Sequence, residues 1–129
     1  MPVIALVDDD SIFQFTATRM IESAKLARNI LHFENGAEAL AYLKENSLIS
    51  ESLPDYLFLD INMPFVDGWM FLEEFTSLKN SLAKQIRIFM VSSSIDPRDM
   101  NRAREFKEVQ EFVIKPLTIE RFTELLKST

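Results

Sequence analysis

The stretch Tyr56-Leu57-Phe58-Leu59-Asp60-Ile61-Asn62-Met63-Pro64-Phe65-Val66-Asp67-Gly68 decides how this chain is read. Four apolar residues run into one carboxylate, and turn residues follow. A short apolar run closed by turn signals suits a buried central strand. That strand delivers Asp60 to its C-terminal tip. In an open α/β sheet, ligands sit beyond the carboxyl ends of the strands. Taken alone, Asp60 is either a loop cap, a common use of Asp, or a residue placed for chemistry.

Working outward, the same punctuation recurs on both sides. Val3 to Val7 reads as a first buried strand ending in Asp8-Asp9-Asp10. From Ser11 the period changes, and Phe13, Ala17, Met20, Ile21 and Ala24 mark one face of a helix. Asn29 to Phe33 reads as a second strand, less purely apolar because of His32. Asn35 caps a helix through Gly36 to Leu43. Ser47 to Asp55 is a polar loop containing Pro54. After the central strand, Asp67 caps a helix with Phe71, Leu72, Phe75 and Leu78 on its apolar face. Ile86 to Val91 is a fourth strand leading into Ser92-Ser93-Ser94. Asp96-Pro97-Arg98-Asp99 starts another helix, because Asp caps it and Pro suits its first turn. Val109 to Ile114 is a fifth strand, placed at a sheet edge by Gln110 and Glu111. Thr118 caps a last helix with Ile119, Phe122 and Leu126 inward.

Five strands alternating with five helices predict an α/β fold: a parallel sheet covered on both faces, with right-handed crossovers. Alternation alone does not give the strand order. The chain has 129 residues, 47% of them hydrophobic, enough for one domain with a real core. Fourteen basic against 20 acidic residues give a net charge of −6, which disfavours non-specific binding to nucleic acid or anionic membrane. The absence of cysteine excludes disulfides and thiolate metal sites and fits a reducing compartment. The apolar start reaches acid at Asp8 with no basic n-region, so it does not read as a signal peptide. No run is long enough for a membrane span.

In a parallel sheet all C-terminal strand ends lie on one side. Strand one brings Asp8, Asp9 and Asp10 there, strand three Asp60, strand four Ser92 and strand five Lys115. Facing carboxylates raise one another's pKa unless a cation intervenes. An oxygen-only site of this kind suits Mg²⁺ or Mn²⁺. Lys115 adds a fixed positive charge and Ser92 a hydroxyl. A cation, an ammonium and a hydroxyl around one carboxylate form a setting for an aspartyl phosphate.

Here the sequence resembles the response-regulator receiver family of two-component signalling. The matching pieces are Leu6-Val7-Asp8-Asp9-Asp10, Glu34 to Leu40, Leu59-Asp60-Ile61-Asn62-Met63-Pro64 with Asp67-Gly68, and Val113-Ile114-Lys115-Pro116. The resemblance implies a flavodoxin-like sheet of order 2-1-3-4-5 and a single receiver domain over residues 1–129. It implies Asp60 as phosphoacceptor, Asp9 and Asp60 as direct metal ligands, Asp8 as a ligand through water, and the Asn62 backbone carbonyl as a further one. Ser92 matches the switch hydroxyl and Lys115 the lysine that pairs with phosphate. Pro116 resembles the family's cis proline. Phe112 falls at the switch aromatic, without a tyrosine hydroxyl. Phe65 departs from the pattern, bringing a bulky ring where a small residue is frequent.

The expected function is a stand-alone, cytoplasmic phospho-switch in a phosphorelay. A sensor histidine kinase or phosphotransfer protein would donate to Asp60, with Mg²⁺ as cofactor. The face of helix four, strand five and helix five, including Arg98, Arg102 and Glu111, would bind a downstream protein or a second copy, giving a monomer or a phosphorylation-dependent homodimer. No direct nucleic-acid or membrane contact is expected, and no enzyme activity beyond the chain's own phosphotransfer and dephosphorylation. A Mg²⁺-dependent phosphatase would want an acid two residues after Asp60, where Asn62 stands. A pseudo-receiver would not need Asp8, Asp9, Asp60 and Lys115 together. His32 and Trp69 read as structural, and Arg98 and Arg102 as a solvated helix face.

Overall fold

The computed structural model describes residues 1–63 and 65–127. Pro64, which the sequence places in the turn after the central strand, lies outside them. Strands β1 (Val3–Val7), β2 (Asn29–Phe33), β3 (Tyr56–Asp60), β4 (Arg87–Ser92) and β5 (Val109–Ile114) alternate with helices α1 (Ser11–Ser23), α2 (Gly36–Glu45), α3 (Gly68–Leu78), α4 (Pro97–Ala103) and α5 (Ile119–Lys127). Short 3₁₀ turns at Ser50–Ser52 and Lys79–Ser81 sit in the connections before β3 and β4. All strand pairs are parallel, in the order β2-β1-β3-β4-β5.

Every residue of β1 and β3 is buried, because helices cover both faces of the sheet. This is why these strands read as unbroken apolar runs. Alternate side chains feed two cores. Ala5, Val7, Leu57, Leu59, Ile88 and Met90 pack under α2, α3 and α4. Ile4, Leu6, Phe58, Phe89 and Val91 pack under α1 and α5. In the second core the Phe58 ring lies 5.0 Å from that of Phe89 and 5.3 Å from that of Phe122.

The helix starts follow their caps. Asp10, Asn35, Asp67 and Asp96 accept hydrogen bonds from first-turn N–H groups, and Thr118 Oγ1 accepts from Arg121 N at 3.1 Å. Each satisfies donors that the helix itself leaves unpaired.

Three details depart from the sequence reading. β4 runs one residue later than Ile86 to Val91, because Ser92 still belongs to the ladder and its carbonyl accepts from Lys115 N at 2.8 Å. Ile119 is 42% exposed rather than inward. Leu117, just before the helix, is buried in the core with Phe122, Leu125 and Leu126, and fills the space beneath the first turn of α5. The third concerns Arg102, which is more than a solvated residue. Its guanidinium lies 4.5 Å over the Trp69 ring and 3.6 Å from Glu73, tying α4 to α3. Such stacking contributes about 0.5–1 kcal/mol at a partly exposed site.

β5 forms the edge, and a bulge there explains its polar pair. Ile88 pairs with Val109, whereas Phe89 pairs with Glu111, so Gln110 is skipped. The extra residue lets Gln110 and Glu111 both face solvent and returns Val113 to the core.

Candidate functional site

The carboxyl ends of β1, β3, β4 and β5 converge as the topology requires. Asp8 follows β1 and is buried, while Asp9 and Asp10 are exposed. Asp10 caps α1, accepting from Ile12 N at 2.9 Å and Phe13 N at 3.3 Å. Its carboxylate therefore serves the helix. Asp8, Asp9 and Asp60 each present an oxygen within 4.8 Å of the others.

Asp60 is 6% exposed. Burial is the main force on its carboxyl group, and the neighbouring Asp8 carboxylate adds repulsion. Lys115 and a hydrogen bond from the Asn62 backbone N–H pull the other way, Asp9 adds a little more repulsion, and the pKa is pushed up to about 7. Lys115 arrives at the end of β5, before a cis peptide bond to Pro116. Its Nζ lies 2.8 Å from Asp8 Oδ2 and 3.9 Å from Asp60 Oδ1. The Phe13 ring, 4.5 Å from the same ammonium, flanks it. Asp8 Oδ1 accepts from Asp10 N at 2.9 Å. Asp8 Oδ2 accepts no well-directed hydrogen bond despite its short ion pair with Lys115.

The loop after β3 is held tightly. Gly68 N donates to Ile61 O at 2.9 Å. A Cβ at Gly68 would stand 2.9 Å from Asp60 O and from Ile61 Cα, both backbone atoms with nowhere to go. Glycine is thus required here by the close approach of α3 to Asp60. Phe65 has φ of 65°, a left-handed conformation costing about 1 kcal/mol for a non-glycine residue. Its side chain is 93% exposed, so the ring points to solvent and leaves the carboxylates uncovered.

Ser92 is buried, and its hydroxyl is engaged with the next turn. It donates to Ser94 O at 3.0 Å and accepts from Ser94 N at 3.1 Å. Phe112, on β5, is half-buried against the α2–α3–α4 core. Asn62 is exposed beside Asp60. His32 lies on the edge strand β2 and pairs with Thr18 Oγ1 at 2.8 Å, apart from the acids.

Sequence reasoning placed Phe13 only on the apolar face of α1, and it did not pick out Gln14. Gln14 Nε2 lies within hydrogen-bond distance of three backbone carbonyls at the ends of β1 and β2, which share its two N–H groups. The available signal was its place on the Gln14, Ala17, Ile21 stripe of α1, a polar residue in line with two buried ones.

The oxygens fit a divalent cation. Three clustered carboxylates and a buried Asp8 Oδ2 without a well-directed donor are an oxygen donor set of that kind, and burial and the Asp8 charge that push Asp60 up to about 7 would be offset by a bound cation. No helix among the described residues is long and apolar enough to cross a membrane.

Comparison with known proteins agrees with this geometry. The family profile of the response regulator receiver domain matches residues 4–127. Chemotaxis protein CheY of Bacillus subtilis is 30% identical over 96% of this chain and 94% of its own length. A probable methanogenesis regulatory protein, FilR2 of Methanothrix harundinacea, is 28% identical over 92% of this chain and 74% of its own. The crystal structure of a two-component response regulator from Cytophaga hutchinsonii superposes with a TM-score of 0.86 at 30% identity, covering 98% of this chain and 94% of that one. With its sheet order, its acid cluster and a family profile matched almost end to end, the chain belongs to the response regulator receiver family of two-component signalling.

Proposed function

We propose that this receiver is a phosphorylation switch whose acceptor is Asp60. One observation carries the reading: the Asp8, Asp9 and Asp60 oxygens lie within 4.8 Å of one another, with the Lys115 ammonium 2.8 Å from Asp8 and 3.9 Å from Asp60. Asp8, Asp9, Asp60 and the Asn62 backbone carbonyl are the groups that would hold Mg²⁺. The bound ion would supply positive charge against the phosphoryl oxygens. An Asp60 carboxylate oxygen attacks phosphorus, and the bond to the donor's nitrogen or oxygen breaks. The electron pair leaves with the donor, which takes up a proton. A histidine kinase or phosphotransfer protein in the cytoplasm is the donor this chemistry suits.

Lys115 then exchanges Asp8 for a phosphoryl oxygen, and Ser92 turns its hydroxyl from Ser94 toward another. Moving Ser92 opens space under β4 for Phe112, whose further burial from a half-buried start is worth about 1 kcal/mol, roughly half the value of full burial. That is enough to bias a two-state equilibrium. The surface that changes is α4, β5 and α5, and it would receive the downstream protein or a second copy.

The basic test is incubation with Mg²⁺ and phosphoramidate or acetyl phosphate. An acid-stable, base-labile phosphate is expected, and its absence would overturn the reading in favour of a pseudo-receiver. Two variants examine the parts. Asp9→Asn is expected to weaken Mg²⁺ on the order of tenfold or more, by removing a charged ligand; an unchanged metal titration would sink the ligand assignment. Ser92→Ala should stay phosphorylatable while its amide NMR shifts with beryllofluoride stop at the loops around Asp60. Shifts reaching β5 and α5 as in wild type would refute the coupling.

A further inference from the structure

From its hydrogen bonds we infer that Gln14 is a positioning residue for the acid cluster, fixing the peptide unit that joins Asp8 to Asp9. The inference rests on the reading of these acids as the metal ligands. Gln14 lies in the first turns of α1, and its amide nitrogen reaches back to the strand ends. It stands 3.0 Å from Leu6 O, 3.2 Å from Asp8 O and 3.1 Å from Phe33 O. Three acceptors around one nitrogen fix its identity as the NH₂ end of the side chain.

The Asp8 carbonyl belongs to the peptide plane between Asp8 and Asp9. Holding it sets the backbone on both sides, and therefore the directions in which the two carboxylates leave the chain. On the other side of Asp8, its own N–H donates to Phe33 O at 3.0 Å. One step further, Asp10 N donates to Asp8 Oδ1 at 2.9 Å. The Asp8–Asp10 segment is thus pinned at three points. First-turn N–H groups of α1 also bind Asp10, but it is the Gln14 side chain that reaches from the helix to the peptide between Asp8 and Asp9.

The other end of the amide argues against simple packing. Gln14 Oε1 is buried and accepts no hydrogen bond. Such an oxygen is destabilising, and an apolar side chain of the same length would avoid it. What glutamine adds over methionine here is donation to the carbonyls.

The test is Mg²⁺ titration by calorimetry, with urea unfolding of the same samples. Partners that orient metal ligands typically account for about 10–100-fold in metal affinity. Gln14→Met keeps length and loses the donors; it should lower Mg²⁺ affinity by about tenfold or more. Gln14→Glu places a carboxylate against three carbonyls and should lower it further. Gln14→Asn falls one methylene short of the carbonyls and should behave like Gln14→Met, which keeps the test open if methionine is poorly tolerated. A packing role would change urea midpoints while folded Gln14→Met and Gln14→Asn bound Mg²⁺ as wild type does, and that result overturns the inference alone. Failure of wild type to bind Mg²⁺ would overturn the functional reading and this inference together.

Discussion

Asp60→Asn is expected to abolish phosphorylation by phosphoramidate or acetyl phosphate while leaving the fold intact. The substitution is nearly isosteric, and the Asn62 N–H that now serves the carboxylate still finds an oxygen to bond. What disappears is the nucleophile, since an amide oxygen does not form a stable acyl phosphate. Asp8 does not substitute for it: it is buried, and its Oδ2 is held by Lys115 at 2.8 Å. Asp9 is accessible, but it is exposed and farther from the Ser92 end of the site by chain topology. Mass spectrometry of the labelled wild type should place the phosphate on the peptide containing Asp60. Label persisting in Asp60→Asn, or mapped to Asp8 or Asp9, would reverse the assignment.

Much of this arrangement was legible in the sequence, for identifiable reasons. A parallel strand buried on both faces needs an unbroken apolar run, which is why β1 and β3 stand out in the sequence. The edge strands β2 and β5 are less apolar, yet the turn residues around them still mark their bounds. One carboxylate, hydroxyl or ammonium at the end of each such run is conspicuous against that background. Strand order came from the family resemblance, because alternation is the same for every doubly wound order. Other features depend on tertiary contacts that a one-dimensional pattern does not carry. The bulge at Gln110 depends on pairing with β4, and the exposure of Ile119 depends on Leu117 filling the space first. Asp10 looked like a third member of the acid cluster, yet it faces the first turn of α1 as a cap. Gln14 was hidden because its partners are main-chain oxygens of Leu6, Asp8 and Phe33, which no side-chain motif records.

Metal-free protein should lose stability as pH rises from about 4 to about 8, and Asp60→Asn should remove that loss. The folded-state pKa of Asp60 is raised from 3.8 to about 7, by burial first and by Asp8 second. Across this interval the folded chain keeps a proton that the unfolded chain has released. Stability from that proton is complete below the unfolded value and is lost as pH passes the folded one. A tenfold difference in proton affinity between the two states corresponds to about 1.4 kcal/mol. With allowance for solvent screening, the loss comes to about 2–4 kcal/mol. Glu108 does not counterfeit the effect. Burial pushes its carboxyl up, but the hydrogen bonds from Lys79 and its own backbone, with the charges of Lys79 and Lys107, together hold it low, so its contribution falls away only at more acid pH. The clean measurement is the difference between wild type and Asp60→Asn in urea unfolding with chelator present. That difference should be smallest below about pH 4, already open by about pH 5, and shift in favour of Asn by about 2–4 kcal/mol by about pH 8. Adding Mg²⁺ at the alkaline end should restore wild type, because the ion binds the folded carboxylates and not the unfolded chain. Asp60→Asn should gain less from it, having one ligand charge fewer. A difference that stays flat with pH would mean that Asp60 is ionised in the folded protein throughout, with Lys115 alone offsetting Asp8 and burial.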